Sequence, residues 1–195
     1  MTVYRGRLDN QMIQYIFPTV IWNTPMVDNF ESIQDEIEQC LDQEDFQLWD
    51  NMHYLSDLNF NQNLIKKHKL NYLNDEISKY LNAYVTETYF FGLPYNILSA
   101  WFSLYKKGNY SRVHDHGLCD ISGVYYFKTS GSDANLFFKS PIPQGSQDEI
   151  QVSPSEGQML LFPSWLKHGV GTNASDNERI SISFNISFDR TKDYE

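Results

Sequence analysis

The stretch RVHDHGLCDISGVYYFK, Arg112–Lys128, decides how this chain is read. Two β-type runs, Arg112–His116 and Ile121–Lys128, flank a short turn that contains Gly117. A strand alternates its side chains between two faces, so His114 and His116 project together and Asp115 points the other way. In the second run Tyr125 and Tyr126 likewise face opposite sides. The same texture extends on both sides of this stretch, beginning at Asn96. Strands are expected at Ile97–Tyr105, Asn135–Lys139, Ile150–Val152, Gln158–Phe162, His168–Gly171 and Arg179–Phe188. Gly131-Ser132-Asp133, Pro143-Gln144-Gly145 and Asn173-Ala174-Ser175-Asp176 punctuate them. Close-spaced short strands of this kind predict a jelly roll.

Upstream of Asn96 the periodicity is helical. After an apolar run, Ile13–Trp22, and a break at Thr24-Pro25, Phe30, Ile33, Ile37 and Leu41 recur at intervals of three and four. Asp28 or Asn29 is the expected cap, with Glu31, Asp35 and Glu36 early, where the helix dipole favours them. The polar stretch Asp42–Gln62 has no period and reads as loop. Leu70, Leu73, Ile77, Leu81 and Tyr84 mark a second helix that stops before Gly92-Leu93-Pro94. The expected fold is therefore mainly β with flanking helices. One domain spans residues 1–195: a strand and two helices over 1–95, packed on the major sheet of a double-stranded β-helix (a cupin-like jelly roll) over 96–188.

Composition narrows the function classes. The chain has 195 residues, 41% hydrophobic and 15% aromatic, which is enough to build a core and excludes general disorder. Its formal net charge of −10 disfavours nucleic acid as a partner. Cys40 and Cys119, far apart, make neither a disulfide framework nor a zinc-finger spacing. The opening residues lack the apolar stretch of a signal peptide, and no window reaches the ~20 apolar residues of a membrane helix. A cytoplasmic protein is expected, so Asn-x-Ser at Asn173 and Asn185 carries no weight as a glycosylation signal.

Chemistry concentrates in the β half. His168, just after the turn FPSWLKH, begins a strand that a jelly roll can bring beside His114 and His116. A histidine in a β protein is most often a hydrogen-bonded structural residue, and an i, i+2 pair only raises the odds of a metal. Arg179 and Ser181 share one face of the last strand, while Ile180, Ile182 and Phe184 share the other. An arginine aimed into a barrel is costly unless an anion meets it, and its planar fork suits a carboxylate. An internal Arg–Asp/Glu pair would satisfy it equally.

Three segments, HDHGLCDISGVYYF (His114–Phe127), EGQMLLFPSWLKHGV (Glu156–Val170) and ERISISFN (Glu178–Asn185), together resemble the 2-oxoglutarate/Fe(II)-dependent oxygenases. The most similar branch is common in marine bacteria and in phages of cyanobacteria; its members open with a segment similar to Tyr15–Trp22. The resemblance implies Fe(II), 2-oxoglutarate and molecular oxygen as reactants, with hydroxylation of a substrate C–H and release of succinate and CO2. Relatives bind iron through His-x-Asp and a distal His, an open facial triad. Here His116 stands where the carboxylate usually stands, so the implied ligands are His114, His116 and His168, with water or Asp120 as alternatives to His116. Arg179 and Ser181 match the Arg-x-Ser pair that holds the far carboxylate of 2-oxoglutarate, and Tyr126 matches the tyrosine that hydrogen-bonds it. Asn109, Ser122 and Asn185 are weaker candidates for the pocket wall, and Trp101, Phe162 and Trp165 read as aromatic packing around the site.

The implied substrate is a peptidyl residue or a small molecule, and the acidic shell favours a basic or neutral one. The segments Asp42–Lys69 and Ser140–Ser155 are either lids or plain surface. If the chain is phage-encoded, the host cytoplasm is its setting. Two other functions fit the motifs. A cupin-like three-histidine enzyme without 2-oxoglutarate predicts an internal carboxylate on Arg179. A non-enzymatic jelly-roll module predicts a surface patch in place of a deep pocket.

Overall fold

The computed structural model describes residues 6–8, 11–13, 19–88, 93–141 and 148–191. Near the start, β1 (Gly6–Leu8) and β2 (Gln11–Ile13) form a small antiparallel pair. Next come β3 (Trp22–Thr24), α1 (Phe30–Leu41), β4 (Gln47–Trp49), β5 (His53–Leu55), α2 (Leu64–His68) and α3 (Asn71–Thr86). The β half follows as β6 (Tyr95–Tyr105), β7 (Ser111–His114), β8 (Ile121–Lys128), β9 (Leu136–Lys139) and β10 (Glu149–Val152). It ends with β11 (Met159–Pro163), β12 (His168–Val170) and β13 (Arg179–Phe188).

Two antiparallel sheets face each other, as the jelly-roll expectation requires. The larger runs β3-β11-β8-β13-β6-β5-β4 and the smaller β10-β9-β12-β7. All eight expected strands appear within about two residues of their expected bounds. The large sheet has two apolar faces, and strict alternation sorts them. Ile180, Ile182, Phe184 and Ile186 of β13 join Phe102, Tyr125 and Leu161 in the cluster that α1 and α3 cover with Ile33, Ile37, Leu73, Ile77 and Leu81. Each such aliphatic side chain contributes roughly 1.5–3 kcal/mol by leaving water. The opposite face, with Val124, Tyr126, Leu160 and Phe162, meets Leu136, Phe138 and Val170 of the smaller sheet.

Several expectations need correction. The stretch Asp42–Gln62 is not plain loop: β4 and β5 form a hairpin that extends the large sheet beyond β6. Strands of three residues are too short to show a period. Helix α2 was also missed, for the same reason. Asn29 is the N-cap of α1, but its side chain makes no cap bond and donates instead to Glu76 at 2.8 Å. The apolar run Ile13–Trp22 falls partly outside the described residues, as do the turn at Pro143-Gln144-Gly145 and Gly92. No helix among the described residues is long and apolar enough to cross a membrane.

Gly123 marks where packing is tightest. A Cβ there would sit 2.3 Å from the Phe184 ring and 2.9 Å from Leu161. Phe184 is buried and cannot swing away. Gly123→Ala is therefore expected to lower stability by about 1–3 kcal/mol, the usual cost of overpacking, read as a shifted midpoint in urea denaturation.

Candidate active site

Strand β12 pairs with β7 so that His168 lies directly opposite His114. His116 arrives differently from the expectation. Strand β7 ends at His114, and a turn carries His116 onward. That turn is fastened by His116 N–H to the Ser164 carbonyl at 2.9 Å and Ser164 N–H to the Asp120 carbonyl at 3.0 Å. The three imidazoles then converge. Their ring centroids are 4.4–5.2 Å apart, and one ring nitrogen from each lies within 4.8 Å of the others.

The outward nitrogen of every ring is already committed. His114 Nδ1 meets the Arg112 carbonyl at 2.8 Å, His168 Nδ1 the Leu166 carbonyl at 2.8 Å, and His116 Nδ1 the Asn185 Oδ1 at 2.7 Å. An acceptor on Nδ1 fixes the proton there and leaves the Nε2 lone pair free, the arrangement metal-ligating histidines use. Asn185 Oδ1 also accepts from Ser122 at 3.0 Å, and its amide nitrogen donates to Ser99 at 3.3 Å. The residue expected as a pocket wall is thus the anchor of His116. Burial, then repulsion by His114, lowers the pKa of His168 to about 3 and pushes that of His116 down. His116 and His168 are thereby kept neutral, with lone pairs fit to bind a cation.

Asp120 is not available as a ligand. Its Oδ2 accepts the Phe188 N–H at 2.8 Å and its Oδ1 pairs with Arg190 at 2.5 Å.

The trio opens into a cavity of about 330 Å³ between the sheets. Its wall on the large sheet is unusually rich in small side chains: Ser103 from β6, Ser122 from β8, and Ser181 and Ser183 from β13. Arg179 enters the same space and is only 2% exposed. Its Nη1 donates to the Ala134 carbonyl at 2.8 Å, and its guanidinium carbon lies 4.9 Å from the ring centres of both Tyr105 and Tyr126. Among the described residues no carboxylate pairs with it. Its Nε and the Tyr126 hydroxyl are both buried and without partners. Burial raises the Tyr126 pKa, so that hydroxyl stays protonated. A buried cation and a phenol donor, both unsatisfied, form a site for an anion with several acceptor oxygens.

Other expected residues divide. Trp101 and Phe162 line the cavity beside His116 and His168, with ring centroids 6.2 Å and 4.8 Å from them. Trp165 does not pack around the site: it is 53% exposed, on the loop after β11. Asn109 is a turn residue whose Oδ1 accepts the Lys106 N–H at 2.8 Å. The sequence reading missed Trp49, His53, Leu55 and Phe60, which the β4–β5 hairpin and the loop after it bring to the cavity wall. His53 is stacked on Tyr105 with centroids 4.4 Å apart, and burial lowers its pKa to about 4. The adjacent Asp50-Asn51, with φ of 47° and 55°, was a legible hairpin turn of the kind these residues favour.

Comparison with known proteins agrees with this geometry. Residues 99–185 match a family model described as "Putative 2OG-Fe(II) oxygenase". The fold resembles a 2OG-Fe(II) oxygenase family protein of Burkholderia pseudomallei (TM-score 0.66, 15% identity, 86% of this chain and 84% of that one). It also resembles a Pseudomonas putida prolyl-4-hydroxylase (TM-score 0.62, 15% identity, 87% and 92%). A third likeness is HygX of Streptomyces hygroscopicus, solved with nickel, 2-oxoglutarate and hygromycin B (TM-score 0.65, 13% identity, 87% and 83%). No curated protein sequence matches the chain.

The metal-free protein carries a pH signature of this site. His53 and His168 bind a proton readily when unfolded but not when folded, so the unfolded state takes up more protons below about pH 6.5. Folding stability is full above that value and falls as pH drops toward 4 and 3. Each group contributes a slope of up to about 1.4 kcal/mol per pH unit. Urea melts between pH 7 and pH 4 are expected to show this loss, and His53→Gln to reduce it.

Proposed function

We propose that this chain, whose residues 99–185 match the 2OG-Fe(II) oxygenase family model, is an oxygenase whose iron is held by His114, His116 and His168. It hydroxylates an organic substrate, either a peptidyl residue or a small molecule. Bound together, Fe(II) and 2-oxoglutarate supply the chemistry: oxygen is consumed, 2-oxoglutarate leaves as succinate and CO2, and a substrate C–H becomes C–OH.

The observation that carries this reading is the unpaired guanidinium of Arg179 beside the unpaired Tyr126 hydroxyl. Their needs match a carboxylate at the far end of a small dicarboxylate, with Ser181 beside it on the same strand face. A bidentate or forked contact there fixes the orientation of the molecule before reaction. Asn185, Ser122 and the two backbone carbonyls keep three Nε2 lone pairs aimed at one point, the orientation a metal ion needs. The aromatic walls keep water out. The cupin-like alternative expected an internal carboxylate on Arg179, which the described residues do not provide. The binding-module alternative expected a surface patch, whereas the feature that stands out is a cavity of about 330 Å³ between the sheets. The mixed cluster of α1, α3 and sheet residues supports treating 1–95 and 96–188 as one unit.

Anaerobic titration with Fe(II) and then 2-oxoglutarate tests the proposal, through the visible charge-transfer band of a 2-keto acid chelated to ferrous iron. A saturable band is expected; iron uptake without a band overturns the role of 2-oxoglutarate. Arg179→Met is expected to abolish the band while iron still binds. The same change is expected to stabilise the ligand-free protein by about 1–4 kcal/mol, because it removes an uncompensated buried charge. His116→Asp is expected to keep or raise Fe(II) affinity, whereas His116→Ala lowers it.

A further inference from the structure

A chain of ring contacts leaves the histidine trio and runs into the N-terminal part of the molecule. His116 stacks on Trp101 (6.2 Å), Trp101 meets Phe60 edge-on (4.9 Å), Phe60 meets Trp49 (5.7 Å), and Trp49 meets His53 (5.5 Å). All five rings line the cavity. Trp49, His53 and Phe60 lie outside the residues 99–185 that match the family model.

Phe60 is held there against its backbone preference. Its φ is +53°, a left-handed conformation that bulky side chains rarely adopt. The buried Asp57 imposes it by accepting the N–H groups of Asn59 at 3.0 Å and of Asn61 and Gln62 at 2.8 Å. A strained aromatic over-determined by three hydrogen bonds and turned into a cavity points to a ligand contact. The charges on the same wall are also uneven. Asp115 is the one carboxylate among the described lining residues, and it forms no hydrogen bond or ion pair with them. Arg112, three residues before it, is paired with Asp50. Arg179 lies beyond His53 at Tyr105, at the other end of the ring chain.

We propose that Trp49, Phe60 and Trp101, with Asp115, form a subsite for an organic cation, so that the substrate presents an ammonium-type group beside the histidine trio. Electron-rich ring faces attract a desolvated cation, and one carboxylate adds the charge contact. The formal net charge of −10 draws such a substrate toward the protein. This substrate class rests on the oxygenase reading of the cavity, but the subsite can be measured without turnover.

The probe pair is choline and its neutral isostere 3,3-dimethyl-1-butanol, compared by isothermal titration at about 0.15 M salt, where long-range attraction is screened. Choline is expected to bind at least about tenfold more tightly than the isostere. Trp49→Ala, Phe60→Gly and Asp115→Asn are each expected to weaken choline by roughly three- to tenfold. Phe60→Gly relieves the backbone strain, so its thermal midpoint is expected to stay close to that of the parent. Asp115→Asn, at an exposed position, keeps the test informative if an aromatic variant fails to fold. Equal binding of the isostere, or choline affinity unchanged in the three variants, overturns the proposal. The 2-oxoglutarate charge-transfer band is measured alongside. Its absence in the parent protein sinks the oxygenase reading while leaving the cation subsite standing; its presence with no cation selectivity sinks the subsite alone.

Discussion

A guanidinium shut inside the protein with no carboxylate beside it is the constraint around which this site is organised. Among the described residues, Arg179 is supported by the Ala134 carbonyl and by the faces of Tyr105 and Tyr126. Those contacts return part of the hydration that burial removed, but they leave Nε bare. A stable resting protein would pair such a charge or replace it by a hydrocarbon. The serines beside it point the same way. Ser103, Ser122, Ser181 and Ser183 occupy inward positions that Val or Leu would fill, while the outward positions of β13 are Ile, Ile, Phe and Ile. One strand therefore seals a core with one face and hollows a cavity with the other.

Charge accounting then links the two ends of that cavity. On the proposed oxygenase reading, three imidazoles bring no negative charge to a divalent metal; Asp120 is taken by Arg190 and the Phe188 amide, and Asp115, the carboxylate on the cavity wall, is exposed to solvent. The metal site and the arginine are both short of anion. On that reading a dicarboxylate would satisfy both, one end at each, and would tie cosubstrate binding to metal binding more closely than in a site where a carboxylate ligand already offsets part of the metal charge.

Much of this was readable because it rests on short-range rules. Alternation placed Arg179 and Ser181 inside and Ile180, Ile182 and Phe184 outside, and the eight β runs followed from turn residues between apolar segments. The jelly-roll expectation allowed His168 to close on His114, but their direct pairing is a long-range register that no local pattern announces. His116 was assigned the right neighbourhood by the wrong route. It reaches the site through a turn stapled to Ser164, and strand alternation ended at His114. Trp165 was misplaced because nothing local distinguishes a packed tryptophan from one carried on an exposed loop.

The N-terminal contribution was illegible for a different reason. Strands β4 and β5 have three residues each, below the length at which a period can be recognised, and the loop that follows is shaped by one buried side chain, Asp57. Its bonds reach two, four and five residues ahead, so the feature that orients Phe60 is a carboxylate acting on backbone amides, with no apolar pattern to announce it. The same separation has a functional logic. The proposed metal and carboxylate contacts come from β8, β12 and β13, where ladder hydrogen bonds hold the geometry on both sides, and from β7 and the segment after it. The aromatic wall comes from an edge hairpin and a loop, which can change length and side chains without disturbing those ladders. A change of substrate would be accommodated at that edge, and it is there that this chain carries its strained residue.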